Sequence, residues 1–202
     1  MTVTTKVDPH PRGLKLRARA LDPEKDGYLL VAAKFGDAPW DLEVEEHLRL
    51  KARDFERRHV CFTTIFLHPD RDELIGFYSL NSHTLELTDK FRQEFEMSKR
   101  QAPGLNLEVE VCYVVAFGVK VDWKDKGYAK QMYAHLVAAL VNGEWRPPFV
   151  YLKVWRDNSD GAWFWDHMEF QNFDEETDTL STDHEKPKPQ RVRLLMAARI
   201  RD

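Results

Sequence analysis

The sequence predicts an α/β fold in which helices pack on a mixed sheet built around one central strand. Three observations lead to this prediction. Residues Val111 to Val119 form an almost unbroken run of apolar, β-branched and aromatic side chains, typical of a strand buried on both faces. From Gly127 to Leu140 the apolar residues recur at helical spacing. Strand-like and helix-like segments alternate along the rest of the chain in the order β-α-β-β-α-β-α-β-α-β.

The other elements follow from periodicity and from turn residues. Before the central strand we expect a strand over 14–20, a helix over 40–58, strands over 60–67 and 74–87 that form a hairpin, a short helix after residue 88, and a loop over 101–106. After Gly143, which favours the end of a helix, we expect a strand over 149–155, a helix over 160–168, a brief strand over 170–173 and a last strand over 191–200. Thr88 is a good N-cap for the helix that would hold Phe91 and Phe95.

Composition limits the class of protein. The chain has 202 residues, 43% hydrophobic and 32% charged, which predicts one soluble domain over 1–202 with a full core. Residues 1–13 read as a loose arm and residues 174–190 as a polar, acidic loop. No apolar run approaches the roughly 20 residues of a membrane helix, and the N-terminus lacks an apolar signal region.

Charge and cysteine content suggest a cytoplasmic protein. Cys61 and Cys112 both lie in strand-like runs, so buried free thiols in a reducing compartment are expected rather than a disulfide or a metal site. The net charge of −4 gives no general attraction to nucleic acid and disfavours tRNA as a partner.

The turn between the central strand and its helix is a candidate anion site. The start of a helix presents unpaired backbone N–H groups and the positive end of the helix dipole. Gly127 has no Cβ, so the backbone can approach a phosphate closely or adopt a positive φ, and Lys126 and Lys130 add positive charge. A pyrophosphate is favoured, although a strand, turn and helix packed for structural reasons alone shows the same pattern. The turn is neither a P-loop nor a Rossmann fingerprint, because the additional glycines are absent.

The hexapeptide from Lys124 to Ala129, KDKGYA, resembles motif A of the GNAT acyltransferases, Q/R-x-x-G-x-G/A, with Lys124 where Gln or Arg is usual. The resemblance implies a mixed, mostly antiparallel sheet with a splayed central strand pair and about four helices over nearly the whole chain. It also implies that amides of this turn bind the pyrophosphate of acetyl-coenzyme A, that the end of the central strand holds the pantetheine arm and the thioester carbonyl, and that no metal is needed. The residues expected to bind acetyl-coenzyme A are Phe117, Val119, Lys124, Asp125, Lys126, Gly127, Tyr128, Ala129, Lys130 and Asn158.

A second segment, NSDGAWFWDHMEF from Asn158 to Phe170, resembles the GNAT pattern N-x-x-A-x-x-x-Y-x-x-x-G-F. Trp165 stands where the family often has a Tyr that protonates the leaving thiolate. An indole N–H can donate a hydrogen bond but does not act as an acid near neutral pH. Besides Trp165, the catalytic candidates are Tyr113, where some GNAT lysine acetyltransferases have a Glu base, and Glu110, whose carboxylate could take a proton from an attacking amine.

The front half is similar to a subfamily of GNAT toxins in Phe35-Gly36-Asp37 and in the strand IGFYSLNS from Ile75 to Ser82. Those toxins acetylate aminoacyl-tRNA and are neutralised by an antitoxin. The expected function is therefore transfer of an acetyl group from acetyl-coenzyme A to a primary amine of aminoacyl-tRNA, a protein or a small molecule. The alternative is a binding or regulatory protein with weakened catalysis that acts through a protein partner. An antitoxin or another protein is an expected partner, a membrane is not, and a homodimer is left open.

Overall fold

The computed structural model describes residues 15–86, 88, 91, 108–178 and 191–200. The expected arm over 1–13, the loop over 101–106 and the position of Phe95 lie outside these residues. The strands are β1 (Arg17–Ala20), β2 (Phe62–Leu67), β3 (Leu74–Glu86), β4 (Glu108–Val119), β5 (Phe149–Trp155), β6 (Gln171–Asp178) and β7 (Arg191–Arg199). The α-helices are α1 (Gly27–Val31), α2 (Pro39–Glu46), α3 (Ala52–Arg57), α4 (Tyr128–Asn142) and α5 (Ser159–His167).

The seven strands form one mixed sheet in the order β1-β2-β3-β4-β5-β7-β6. Strand β4 runs parallel to β5, whereas β1 pairs with β2, and β7 pairs with β5 and with β6, in antiparallel fashion. The hairpin of β2 and β3 is closed by a hydrogen bond of 2.9 Å from the His68 N–H to the Glu73 carbonyl. The predicted mixed sheet around a central strand is therefore confirmed.

The chain forms two compact units, and a single domain over 1–202 stays a prediction. The first unit contains residues 1–78 and 116–136, and the second contains residues 79–115 and 137–202. The core of the first unit includes Phe35, Leu48 and Phe77, all at most 1% exposed. The core of the second unit is built on Phe91, Val111, Phe149, Tyr151, Phe173 and Ala197.

The predicted helix over 40–58 is interrupted. Residues His47–Lys51 form a π-helical turn between α2 and α3. The ring of His47 stacks on Phe77 with 6.2 Å between centroids and meets the edge of Phe55 at 5.9 Å. A π turn adds one residue per turn, and here it brings His47 and Leu48 into the core. The short helix α1 was not predicted, because five residues carry too little periodicity.

The predicted loop over 174–190 is wrong for its first five residues. Asp174 to Asp178 belong to β6, which pairs with β7 at the edge of the sheet. The acidic residues are stable in a strand because cations neighbour them: Lys153 Nζ lies 2.6 Å from Glu176 Oε2, and Arg156 forms an ion pair with Glu175. An edge strand with solvated charges has no apolar alternation, so its sequence looks like a loop.

Two smaller predictions can be checked in the described residues. The Phe91 N–H donates to Thr88 Oγ1 at 3.2 Å, as expected for an N-cap, while the rest of that helix lies outside the described residues. Both cysteines are buried and free, and burial raises the pKa of Cys61 to about 11 and that of Cys112 to about 12. None of the helices in the described ranges is both long and apolar enough to span a bilayer.

Candidate functional site

The turn after β4 has the backbone conformation that its sequence suggested. A 3-10 turn, Val121–Trp123, follows β4, and α4 begins at Tyr128. Gly127 has φ +80° and Asp125 has φ +60°, both in the left-handed region. Glycine adopts this region without steric cost, and Asp is among the few other residues that tolerate it. Hydrogen bonds from the Lys120 N–H to the Ile75 carbonyl (2.8 Å) and from the Val121 N–H to the Lys34 carbonyl (3.0 Å) fix the start of the turn.

The turn leads directly into the N-terminus of a 15-residue helix. The first hydrogen bond that returns to the turn joins the Gln131 N–H to the Gly127 carbonyl at 3.4 Å. The N–H groups of the preceding residues have no carbonyl one helical turn before them and point out of the helix end. Together with the helix dipole, they make the stretch from Gly127 to Lys130 suitable for an anion.

The three lysines of the turn have different environments. Lys124 Nζ lies 2.9 Å from Asp41 Oδ1, so its charge is compensated by α2. Lys126 Nζ donates to the Asp122 carbonyl at 2.6 Å and lies 4.8 Å from the centre of the Trp123 ring. Lys130 is exposed, and its side chain forms no hydrogen bond or ion pair with any residue in the described part of the chain. Lys130 is therefore the cation of this turn that is most available to a ligand.

Tyr128 supports the turn from inside. It is 4% exposed, and its ring meets Trp123 edge-on at 5.6 Å. The Trp123 indole N–H donates to Glu73 Oε1 at 3.0 Å, and this bond lowers the pKa of Glu73 below its usual value. Tyr128 thus has a packing role, whereas Ala129, next along the helix, is only partly buried.

The end of β4 lies against α2. A Cβ on Gly118 would come within 2.6 Å of Val44 Cγ1 and 2.8 Å of Phe35 Cδ1. Only glycine permits this approach of the strand backbone to its covering side chains. Phe117 and Val119, on either side of Gly118, are partly buried.

The ladder between β4 and β5 is short. It consists of three pairs, Cys112 with Val150, Tyr113 with Tyr151, and Val114 with Leu152. Strand β4 continues to Val119 and β5 continues to Trp155. The two parallel strands therefore part after Val114 and Leu152, which confirms the predicted splay of the central pair.

The catalytic candidates of β4 lie on opposite faces of the sheet. Tyr113 packs with Val109 against the core of the second unit, and its ring lies 5.3 Å from Tyr151 and 5.7 Å from His83. Glu110, three positions away, accepts a hydrogen bond of 2.6 Å from Ser82 Oγ. Because side chains alternate along a strand, Tyr113 and Glu110 do not serve one site together.

Trp165 and Asn158 organise α5. Trp165 is 7% exposed and packs edge-on against Phe170 at 4.9 Å. Asn158 Oδ1 accepts a hydrogen bond of 3.0 Å from the Gly161 N–H and so caps the helix. By contrast, Trp163 is 59% exposed and lies 3.9 Å from the ring of His167.

Two residues that matter here were missed by sequence reasoning. Asp41, the partner of Lys124, is 83 positions away and no local signal connects the two. The ring of His83 lies beside the rings of Tyr113 and Tyr151. The alternation along β3 predicts which face of the sheet His83 is on, but it does not predict these two neighbours. In the described ranges, no three His, Cys, Asp or Glu residues lie close enough together to hold a metal ion.

Comparison with known proteins shows similarity in structure without similarity in sequence. No family model matches the sequence, and no curated protein matches it either. Among solved structures, a bacterial toxin superposes with a TM-score of 0.64 at 13% identity, over 93% of this chain and 92% of the toxin. NAA60 of Arabidopsis thaliana in complex with acetyl-CoA superposes with a TM-score of 0.58 at 14% identity, over 92% of this chain and 100% of NAA60.

The chain has the GNAT acyltransferase fold. A tyrosine-to-phenylalanine mutant of the toxin AtaT, bound to the C-terminus of the antitoxin AtaR, is also similar, with a TM-score of 0.56 at 13% identity over 89% of this chain and 91% of AtaT. The resemblance to the GNAT acyltransferases is thus supported by structural similarity over about nine tenths of the chain. At these identities the likeness concerns the fold, and the residues of the site have to be judged by their own geometry.

Proposed function

We propose that this protein transfers an acetyl group from acetyl-coenzyme A to a primary amine. The observation that carries the proposal is the turn from Lys124 to Lys130, with left-handed backbone at Asp125 and Gly127, directly before the N-terminus of a long helix. Such a turn suits the pyrophosphate of coenzyme A. The GNAT fold, and neighbours that include structures with acetyl-CoA, support the same ligand.

The residues of the turn fit a pyrophosphate, but they differ in what they contribute. Gly127 allows the backbone to approach, the amides from Gly127 to Lys130 donate hydrogen bonds, and the Lys130 ammonium adds charge. Lys124 holds the turn to α2 through Asp41. Lys126 stays beside Trp123, at the edge of the turn. In this proposal Phe117 and Val119 offer backbone groups to the pantetheine arm.

The reaction is direct attack of the amine on the thioester. A backbone N–H near Val119 would stabilise the oxyanion, a contribution of about 3 kcal/mol for one well-placed donor. Trp165 cannot supply a proton to the thiolate, yet a thiolate leaves readily without one. Asn158 acts through the helix that it caps, since its side-chain oxygen is engaged by the Gly161 N–H.

The acceptor is a primary amine of aminoacyl-tRNA, a protein or a small molecule. The toxin neighbours favour the first, and the net charge of −4 favours a cationic acceptor instead. An antitoxin-like protein partner is part of the toxin-like hypothesis, because AtaT was solved with the C-terminus of AtaR. Homodimer formation and a cytoplasmic location belong to the proposal as well.

A second function is favoured by one observation. Trp165, at the position of the family's acid, is buried and packed against Phe164 and Phe170. The side chain at the position of the acid therefore packs against aromatic rings and has no acidic proton to donate. This suits a binding or regulatory protein that has the fold but does not catalyse acetyl transfer. Such a protein would act through a protein partner.

The test is thermal unfolding with acetyl-coenzyme A, with coenzyme A and with buffer alone. Ligand at about 100 times its dissociation constant adds roughly 2.7 kcal/mol of stability, a readily measured shift. We expect a clear shift that is absent in Gly127→Glu, because Gly127 has φ +80° and Glu adds a negative charge at the anion site. Release of coenzyme A with an amine then separates the enzyme from the binding protein. No shift at millimolar ligand would reject the acetyl-coenzyme A site.

A further inference from the structure

Asp41, in the first turn of α2, contacts the proposed anion-binding turn with its carboxylate. Its Oδ1 atom lies 2.9 Å from Lys124 Nζ, and the side chains of Asp41 and Lys124 are 17% and 39% exposed. Solvent therefore screens this ion pair only in part. Asp41, Lys124 and the whole turn up to Lys130 belong to the first unit.

Gly36 fixes the Asp41 carboxylate from its other side. A Cβ on Gly36 would come within 2.2 Å of Asp41 Oδ2, and Gly36 has φ +148°. A side chain at this position would therefore displace the carboxylate or strain the backbone. The first turn of α2 also favours a negative charge through the helix dipole. Packing and helix dipole thus both hold a carboxylate beside Lys124.

Lys124 is close to the place proposed for the pyrophosphate. It stands three residues before Gly127, and three residues span at most about 10 Å. Charges at such a separation still interact at physiological ionic strength, where the Debye length is about 8 Å. An anion at the amides from Gly127 to Lys130 therefore attracts the Lys124 ammonium, and the bond to Asp41 opposes this attraction.

We infer that Asp41 lowers the affinity of this turn for the pyrophosphate by engaging Lys124. The inference rests on the proposed binding of acetyl-coenzyme A and adds Asp41 to that site as a positioning residue, which acts through Lys124. Without the Asp41 charge, the Lys124 ammonium can pair with the pyrophosphate, in the way proposed for Lys130. Acetyl-coenzyme A and coenzyme A carry the same pyrophosphate, so Asp41 weakens both by the same factor and favours release of the product.

The experiment measures the dissociation constants of acetyl-coenzyme A and coenzyme A by calorimetry. Asp41→Asn, which removes the charge and keeps the size of the side chain, is compared with wild type and with Asp54→Asn. Asp54 pairs with Arg58 at 3.3 Å and lies 13 residues after Asp41, about 20 Å along the helical run. We expect Asp41→Asn to bind both ligands about two- to fivefold tighter, the range of one exposed ion pair, and Asp54→Asn to bind like wild type.

Two further readouts separate competition for Lys124 from a structural role of Asp41. The gain in affinity should be larger at about 0.01 M salt than at about 1 M, because the Debye length falls from about 30 Å to about 3 Å. The gain should also be much smaller when Lys124→Gln is the starting protein. Asp41→Ser, which removes the charge with a smaller side chain, should show the same gain as Asp41→Asn.

The possible results distinguish the inference from the proposed function. Wild-type or weaker binding by both Asp41 variants would overturn the inference while the proposed function stands. A gain of equal size without Lys124 would overturn it as well, because Asp41 would then repel the ligand directly. A wild-type protein that shows no thermal shift with either ligand would contradict the proposed function, and the inference with it.

Discussion

Replacing His47 tests how a buried imidazole contributes to the stability of the first unit. His47 is 7% exposed, stacked on Phe77 and in edge contact with Phe55. Burial, assisted by the charge of Lys51, lowers its pKa from 6.5 to about 4. Between these values the unfolded chain binds a proton that the folded chain does not bind. Above the unfolded pKa, His47 is neutral in both states and costs no stability. As the pH falls from the unfolded pKa toward the folded pKa, the free energy of unfolding decreases, because only the unfolded chain binds the proton.

The magnitude follows from the two pKa values. A difference of one pKa unit corresponds to about 1.4 kcal/mol, so going from about pH 7.5 to about pH 5 removes about 2 kcal/mol. The variant His47→Leu has no imidazole at this position, so its free energy of unfolding does not decrease in this way as the pH falls. Exposed carboxylates and histidines change the stability of both proteins alike, so the informative quantity is the difference between wild type and variant.

The assay is urea unfolding at several pH values, with His167→Gln as a control that removes an exposed histidine. Wild type should lose about 2 kcal/mol more than His47→Leu over this pH range, and the control should follow wild type. If wild type and His47→Leu change in parallel, His47 is not held neutral in the folded protein and the reasoning is refuted.

Two predictions concern the site. Lys130→Gln should weaken acetyl-coenzyme A binding, measured by calorimetry, about two- to fivefold, which is the range of one exposed ion pair. Lys124→Gln should weaken binding less, because Asp41 already compensates the charge of Lys124. Equal losses of affinity in the two variants would refute this division of roles. Asn158→Ala should lower the unfolding free energy by about 1 kcal/mol and Asn158→Asp should not, because both Asn and Asp cap a helix and Ala does not. An equal loss in the two Asn158 variants would mean that the amide has a task other than accepting from the Gly161 N–H.

The elements that the sequence predicted best are those with strong local signals. The run from Val111 to Val119 reads as a strand because it is apolar on both faces, and the structure places it in the middle of the sheet. Gly127 was expected to serve the turn through its freedom at positive φ, and it has φ +80°. The hairpin was recognised in the same way, from the alternation along its second strand and from its turn residues.

The predictions that failed or stayed incomplete concern elements stabilised by distant residues. The segment from Asp174 to Asp178 has the acidic composition of a loop, but it forms a strand. Lys153 and Arg156 stabilise it by ion pairs with its carboxylates. The π turn at His47 exists because the side chain packs on Phe77, 30 positions away in the sequence. Local propensity carries no information on such partners.

By itself, the sequence determined the order of most elements, the central strand and the glycine turn before α4, because backbone freedom, periodicity and capping act over a few residues. Only the tertiary structure decided which side chains of the site can act together. It engages Lys124 with Asp41, leaves Lys130 available, puts Glu110 and Tyr113 on opposite faces and brings His83 to Tyr113. The physical reason is that charge compensation and burial depend on which residues the sheet brings together, often across tens of positions in the sequence.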